Sequence, residues 1–389
     1  MRVSIAMTTY NGAIHLQEQL DSLTGQHFLP TELIVGDDGS TDGTIEILEC
    51  FRREAPFPVV IHSNSIRLGY RANFMKVARL CTGDLVSFCD QDDVWLPNNL
   101  DRVVRSFADP DVLLTFHNAR VVDGQRRLIS PLYAEPPSAF ISPRLALPPW
   151  MSSYGFTQTF RADLLPAAAL WDQMKDHYYP DEVMGHDLFF FLIASAVGKV
   201  CYIDDELTEY RLHGGNTVGT GKRTKPGLVE RWRYRFEDRS ETYGYLARVA
   251  PIDAELFSHL SKMEAFPKHL RQRSTEAAVA WRQLGPIYSD RAQVYSARLI
   301  DRLVAFVHLC RKGVYSEASF WTFGSKAMIK DLVLGVVLAP LVRRFGRTSS
   351  RDDRSCRRGQ DRLLHSNVTP MDRAWGSDIE TAAHIRSDR

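Results

Sequence analysis

The sequence predicts an α/β fold, a mostly parallel sheet flanked by helices, with a C-terminal helical extension and a disordered tail. Three observations carry this. Short apolar runs alternate four times with amphipathic stretches between Val3 and Phe116. Several of those runs are almost continuously apolar, as strands covered on both faces are. From about Lys222 only helical periodicity remains, and after Arg347 it fades into arginine, aspartate and serine. The implied divisions are 1–221, 222–346 and 347–389.

The first strand is Val3–Met7, and Thr8-Thr9-Tyr10-Asn11-Gly12 is the turn that leaves it. A helix follows from Ala13 to about Leu23, with Ile14, Leu16, Leu20 and Leu23 as its inner side. Glu32–Gly36 is the second strand and runs into Asp37-Asp38-Gly39-Ser40-Thr41-Asp42-Gly43-Thr44. There Ser40 or Asp42 is placed to cap the next helix. Val59–His62 is the third strand; Asn64–Asn73 leads into a helix bearing Phe74, Val77 and Leu80. Leu85–Phe88 is the fourth strand, followed by a helix from Pro97 to about Phe107 and a strand from Val112 to Phe116.

Asp123-Gly124 reads as a hairpin turn. Pro131–Pro149 reads as a loop over the strand ends, Trp150–Phe160 as a polar-aromatic segment, and Leu164–Met174 as a helix. His186–Val197 is a very apolar helix, and Val200–Ile203 with Leu207–Arg211 complete the sheet. Five helices are expected beyond: Leu228–Val249, Ala254–Leu270, Ser274–Leu284, Asp290–Cys310 and Ser316–Leu338.

With 389 residues the chain has enough length for a full core and more than one average domain. A formal net charge of +1 excludes a global field suited to nucleic acid. Six cysteines without a CxxC pair give neither a zinc knuckle nor a disulfide framework and suit a reducing cytosol. No secretory signal opens the chain, and the apolar stretch Leu332–Val342 is too short to span a bilayer. A cytoplasmic protein is expected. The cations Lys222, Arg223, Lys225, Arg231, Arg233 and Arg235, with the Leu332–Arg344 segment, suit peripheral contact with an anionic inner leaflet.

The chemistry concentrates after the fourth strand, in Asp90-Gln91-Asp92-Asp93-Val94-Trp95. A solvated surface does not require three carboxylates at the end of a buried strand, and they repel one another. A divalent cation with oxygen ligands, shared with a substrate phosphate, explains them economically. In a parallel sheet, ligands bind beyond the carboxyl ends of the strands. Thr8–Gly12, Asp37–Asp38 and Asp90–Asp93 all fall there. The turn after the first strand lacks GxGxxG, which disfavours a dinucleotide-dependent oxidoreductase.

These segments, with Asn64…Gly69…Asn73, Gly83-Asp84, Gly185-His186-Asp187 and Tyr210-Arg211-Leu212-His213-Gly214-Gly215-Asn216, resemble glycosyltransferase family 2, which has the GT-A fold. The resemblance covers roughly residues 1–220, and the Asp-Gln-Asp-Asp-Val-Trp string and the closing motif are most similar to its rhamnosyltransferase-like branch. It implies an inverting, metal-dependent enzyme that moves a sugar, rhamnose from dTDP-rhamnose by the branch, to a hydroxyl of a surface-polysaccharide or lipid-linked glycan. A UDP-sugar donor on the same machinery, and a sugar-nucleotide-binding protein without turnover, are the alternatives.

On this reading Asp92 is first choice as a ligand of Mg²⁺ or Mn²⁺. Asp90 binds metal or ribose, Asp93 supports the pair, and His213 contacts metal or diphosphate. Thr9, Tyr10 and Asp38 hold base and ribose, with Thr8, Asn11, Asp37, Asn73 and Gln91 in the same nucleotide-sugar site. Arg71 or Arg67 reaches for the diphosphate. Asp187 matches the general base. Trp95, Trp150 and Tyr154 are candidates for a sugar platform, with Gly155 and His186 beside them. Core packing competes for Trp95, and a plain helix-start role competes for His186.

Overall fold

The computed structural model describes residues 1–133, 136–213, 240–296, 298–316 and 322–338. The expected Gly214–Asn216 closure, the 222–235 basic run and the 347–389 tail lie outside the described residues. The chain divides into two compact units, one of Met1–Gly219 and Leu260–Ser274, the other of Thr220–His259 and Thr275–Arg389.

The first unit is a mixed sheet flanked by helices. Strands β1 (Val3–Thr9), β2 (Glu32–Asp37), β3 (Val59–Ser63) and β4 (Leu85–Cys89) are parallel, in the order β3-β2-β1-β4. The sheet continues through β9 (Gln158–Arg161), β6 (Val112–Val122), β10 (Lys199–Arg211) and β5 (Val94–Trp95). Alternate side chains of a strand take opposite faces. Val3, Ile5, Met7, Leu85 and Cys89 therefore share one buried cluster with α1 (Ala13–Thr24), α2 (Thr44–Glu54) and α4 (Asn99–Ser106). Phe88 faces the other way and meets Phe74 of α3 (Tyr70–Ala78) and Phe190 of α5 (His186–Val197).

Several elements depart from expectation, each for a physical reason. Ile14 is exposed; it lies ~200° around the helix from Leu16, and buried Gln19 takes the inner place by donating to the Cys89 sulfur at 2.7 Å. Leu80 lies past the end of α3 and is exposed. Strand β9 has no apolar run to announce it, yet it fills the gap between β4 and β6, antiparallel to both, with the Ser87 and Thr159 hydroxyls 2.6 Å apart. The expected Leu164–Met174 helix is 3₁₀ over Ala162–Gln173, where Pro166 removes a donor.

Asp204 and Asp205 read as a break, but β10 runs through them on register shifts between Ile203 and Glu206. The hairpin turn is wider than Asp-Gly alone: Asp123 accepts from the Gln125 and Arg127 amides, and Arg126 takes φ +60°. A short strand, β8 (Phe140–Ser142), pairs with β10 inside the expected proline-rich loop.

Described helices outside the first unit's sheet region are Ser240–Leu260, Lys268–Gln293, Leu299–Arg311 and Gly324–Lys330, the last continuing as a π turn over Asp331–Val337. Gly285-Pro286 reads as a stop, yet the helix passes through it.

Candidate active site

Sheet register decides which loops meet. Ala6 pairs with Phe88 and Met7 with Cys89, so the turn after β1 lies beside the acidic loop after β4. Thr9 pairs with Asp37, which brings in the loop after β2. Gln91 ties the first two together, accepting the Tyr10 amide at 2.9 Å and donating to the Tyr10 carbonyl at 3.2 Å. A Cβ at Gly12 would lie 2.2 Å from the Gln91 Oε1, so only glycine admits this bridge. Asn11, in the left-handed region at φ 47°, accepts the Thr41 amide, and its own amide donates to Ser40.

The two aspartates after β2 differ in what remains open to a ligand. Asp37 accepts from the Thr9 and Ser40 hydroxyls and from the Gly39 and Ser40 amides. A carboxylate has about four acceptor sites, so Asp37 is saturated as a turn holder. Asp38 accepts from Asn64 and the Leu68 amide on Oδ1 but from Gly69 alone on Oδ2. Asp42, not Ser40, holds the start of α2 by accepting the Thr44 amide at 3.0 Å. Thr8 lies at the end of β1, paired with Gly36. Asn73 is buried between Gly36 and Asn64, donating to one and accepting from the other.

Asp90, Asp92 and Asp93 offer ligand oxygens that all lie within 4.8 Å of one another. Burial, then Asp92 and Asp187, push the Asp90 carboxyl up to about 8. Burial, then Asp92 and Asp90, hold Asp93 well above the usual carboxylate range, and its Oδ2 is buried without a hydrogen-bond donor. A cluster of hard oxygens with one buried oxygen lacking a donor fits a divalent cation. His213 stands at its edge, with Nε2 2.8 Å from Asp92 Oδ2.

Arg211 fixes the loop from below. Its amide donates to Asp93, its Nε to the Asp92 carbonyl at 3.0 Å, and its Nη2 to Glu18 at 2.9 Å.

Asp187 reaches this cluster from the start of α5, close enough to raise the Asp90 carboxyl. Its own pKa is raised, by burial; the Leu188 amide, donating at 2.9 Å, works against the shift. Two glycines make the approach possible. A Cβ at Gly185 would lie 2.7 Å from Asp187 Oδ1, and one at Gly155 would lie 2.9 Å from His186 Nε2. His186 stacks on Phe74 at 4.1 Å, and burial lowers its pKa to about 3, so the ring is neutral.

The other expected site residues have varied surroundings. Trp95 lies in the core cluster, 3% exposed. Arg71 donates to the Val183 carbonyl and pairs with Asp176 at 3.4 Å, while Arg67 stands 3.7 Å over the Tyr10 ring in the turn after β1. Trp150 is buried with its carbonyl accepting from Tyr178. Sequence reasoning missed Asp176, which accepts the Gly185 amide at 3.2 Å and so anchors the start of α5. It also missed His15, whose ring centroid is 4.8 Å from that of His213. No local pattern marks either, because each becomes relevant only through the fold.

Fold and site together define a Rossmann-like α/β domain with a cation-capable carboxylate cluster at the carboxyl ends of its strands, the GT-A arrangement. Residues 4–166 match the family model described as glycosyl transferase family 2.

An uncharacterised glycosyltransferase of Nostoc sp. is 26% identical over 223 residues, covering 56% of this chain and 66% of that protein. The chain thus spans just under two thirds of that relative's length. A dTDP-rhamnosyl transferase of Shigella flexneri is 26% identical over 250 residues, 59% of this chain and 81% of that one. The crystal structure of S. aureus TarS 1-349 is similar at 14% identity and a TM-score of 0.47, covering 90% of this chain and 92% of that one. Among the described residues, no helix is long and apolar enough to cross a membrane.

Proposed function

We propose that this enzyme transfers a sugar, with inversion, from a pyrimidine nucleoside diphosphate to a hydroxyl of a glycan or lipid-linked glycan. One observation carries the reading: three crowded carboxylates, one with a buried oxygen lacking a donor, face a fourth carboxylate, Asp187, that starts a different element. Asp90, Asp92 and Asp93 would hold Mg²⁺ or Mn²⁺, with His213 steadying Asp92. The ion supplies charge stabilisation to the departing diphosphate.

The chain's own residues do the rest. Asp187 takes the proton of the acceptor hydroxyl, and burial raises its pKa toward the range a base needs at neutral pH. Asp38 keeps acceptor capacity on Oδ2 for the N3–H of uracil or thymine, which favours pyrimidine nucleotides. Asp37, Asn73 and Gln91 position the loops that bind the donor. Tyr10 and Arg67 form the exposed rim.

The Shigella flexneri relative is named for dTDP-rhamnosyl transfer, which supports dTDP-rhamnose as one donor. At 26% identity that name does not set it above a UDP-sugar, and the open acceptor site on Asp38 suits either. Thermal shift with UDP-, dTDP- and GDP-sugars, with and without Mn²⁺, tests the reading. A pyrimidine donor is expected to raise the melting temperature only with the ion and to be hydrolysed slowly. Equal shifts for GDP-sugars sink the pyrimidine preference, and absence of hydrolysis with every donor sinks the transferase reading.

A further inference from the structure

Arg71 stands on the first turn of α3 with its side chain only 15% exposed. Its Nε donates to the Tyr70 hydroxyl at 2.9 Å, Nη1 donates to the Val183 carbonyl, and Nη2 pairs with Asp176 Oδ2 at 3.4 Å. Asp176 in turn uses both oxygens. Oδ1 accepts the Tyr178 and Tyr179 amides at 2.8 and 3.0 Å, and Oδ2 accepts the Gly185 amide at 3.2 Å. Gly185 is the cap residue of α5, two positions before Asp187. The chain is therefore gripped at Val183 and again at Gly185, just before the acid that reaches the carboxylate cluster. A planar guanidinium, with five donors in a fixed fork, suits such a double grip. The other end of the grip is fixed as well. Gly69, the cap residue of α3, gives its amide to Asp38 at 2.7 Å, and the Asn73 side chain donates to the Gly36 carbonyl at 2.7 Å. One short helix thus holds both the loop that carries Asp38 and the segment that delivers Asp187.

We propose that Arg71 is a positioning residue: with Asp176 it latches the start of α5 to α3 and sets where Asp187 stands relative to a donor held at Asp38. The inference rests on the proposed function, in which Asp187 is the general base. Placement of such a group matters steeply, since a displacement of about 1 Å can cost ~10²-fold in rate. Arg71 is also near enough for its charge to act on Asp187: burial raises the Asp187 pKa, and the guanidinium opposes that rise. The role differs from the diphosphate contact that the sequence resemblance implies, and the two make opposite kinetic predictions. A diphosphate contact governs donor affinity, whereas a latch governs turnover of donor already bound.

Three variants of the full chain test it. Arg71→Met keeps the apolar stem and removes the fork, Arg71→Lys keeps the charge, and Asp176→Asn keeps the shape but offers one accepting oxygen in place of two. With Mn²⁺ and the pyrimidine nucleotide-sugar that the parent hydrolyses, Arg71→Met and Asp176→Asn are expected to lose about 10–10²-fold in kcat. KM, and the affinity for UDP with Mn²⁺, should stay within about twofold of the parent. Arg71→Lys should recover part of the loss, and the double variant Arg71→Met/Asp176→Asn should be no slower than the slower single one, because both break one latch. Hydrogen exchange of the amides from Gly185 to Leu188 should quicken in both single variants, a readout that needs no turnover. Weaker UDP binding at unchanged kcat would return Arg71 to the diphosphate. Additive losses in the double variant, or unchanged exchange at the start of α5, would each overturn the latch. Normal turnover by Asp187→Asn sinks the general-base reading itself, whereas a slow Asp187→Asn beside a normal Arg71→Met sinks the latch alone.

Discussion

Asp93 and Asp331 are both completely buried, and they are buried in opposite ways. Asp331 meets an arginine and two tyrosine hydroxyls, so its charge is balanced inside the chain. Asp93 meets the Arg211 amide and feels its charge, but it also faces two further carboxylates, which with burial outweigh it, and its second oxygen has no donor. Burying a charge is expensive unless it is paired. A fold that balances the first and leaves the second unbalanced reserves the second for something from outside. Of the two aspartates, one is architecture and the other is a candidate metal ligand.

The largest effect should separate chemistry from architecture. Asp187→Asn is expected to lower turnover by about 10²–10⁴-fold. Its melting temperature should hold or rise, because burial disfavours the charged carboxyl. Normal turnover would return Asp187 to a helix-start role. Asp331→Ala should do the reverse, costing about 3–5 kcal/mol by leaving Arg291 buried and alone. Denaturant unfolding measures this; an unchanged midpoint would mean that the Asp331 network is not structural.

Manganese sharpens the contrast further. At a concentration a hundred times its dissociation constant it should stabilise the parent by about 2.7 kcal/mol. Asp93→Asn should lose most of that gain, and in chelator it should melt higher than the parent because one repelling charge has gone. Asp331→Ala should keep the gain. If both variants respond alike to manganese, the difference drawn between the two aspartates is wrong.

Much of this contrast was legible in the sequence, on one side only. The acidic loop stood out because three carboxylates follow a buried apolar strand, a local pattern that announces unbalanced charge. His186–Val197 was equally plain, since its apolar run admits few other readings. Asp331 was hidden within an apolar stretch, and its partners lie 40, 36 and 16 residues away. Strand β9 was missed for a related reason: Gln158-Thr159-Phe160-Arg161 becomes a strand only because β4 and β6 leave a place for it. Asp176 likewise works through tertiary geometry alone.

The smallest expected effect tests the contrast from the cationic side. His117 and His186 are buried, and burial pulls them down to about 4 and about 3. Their folded values lie below the ordinary 6.5, so in that window the unfolded chain binds more protons than the folded one. Their contribution is therefore present above about pH 6.5 and is lost as pH falls toward the folded values. Raised carboxyls such as Asp187 act in the opposite direction, so the parent's melting curve alone would mix the two. The difference between parent and His117→Gln isolates one histidine, and the slope on the acid side should flatten by at most about 1.4 kcal/mol per pH unit. His186→Gln should flatten the same limb, because its neighbours are Phe74 and Phe88 and its charge has no acid to meet. An unchanged slope for His186→Gln would mean that the imidazolium finds a counter-charge in the site, and the cluster would then be partly balanced from within.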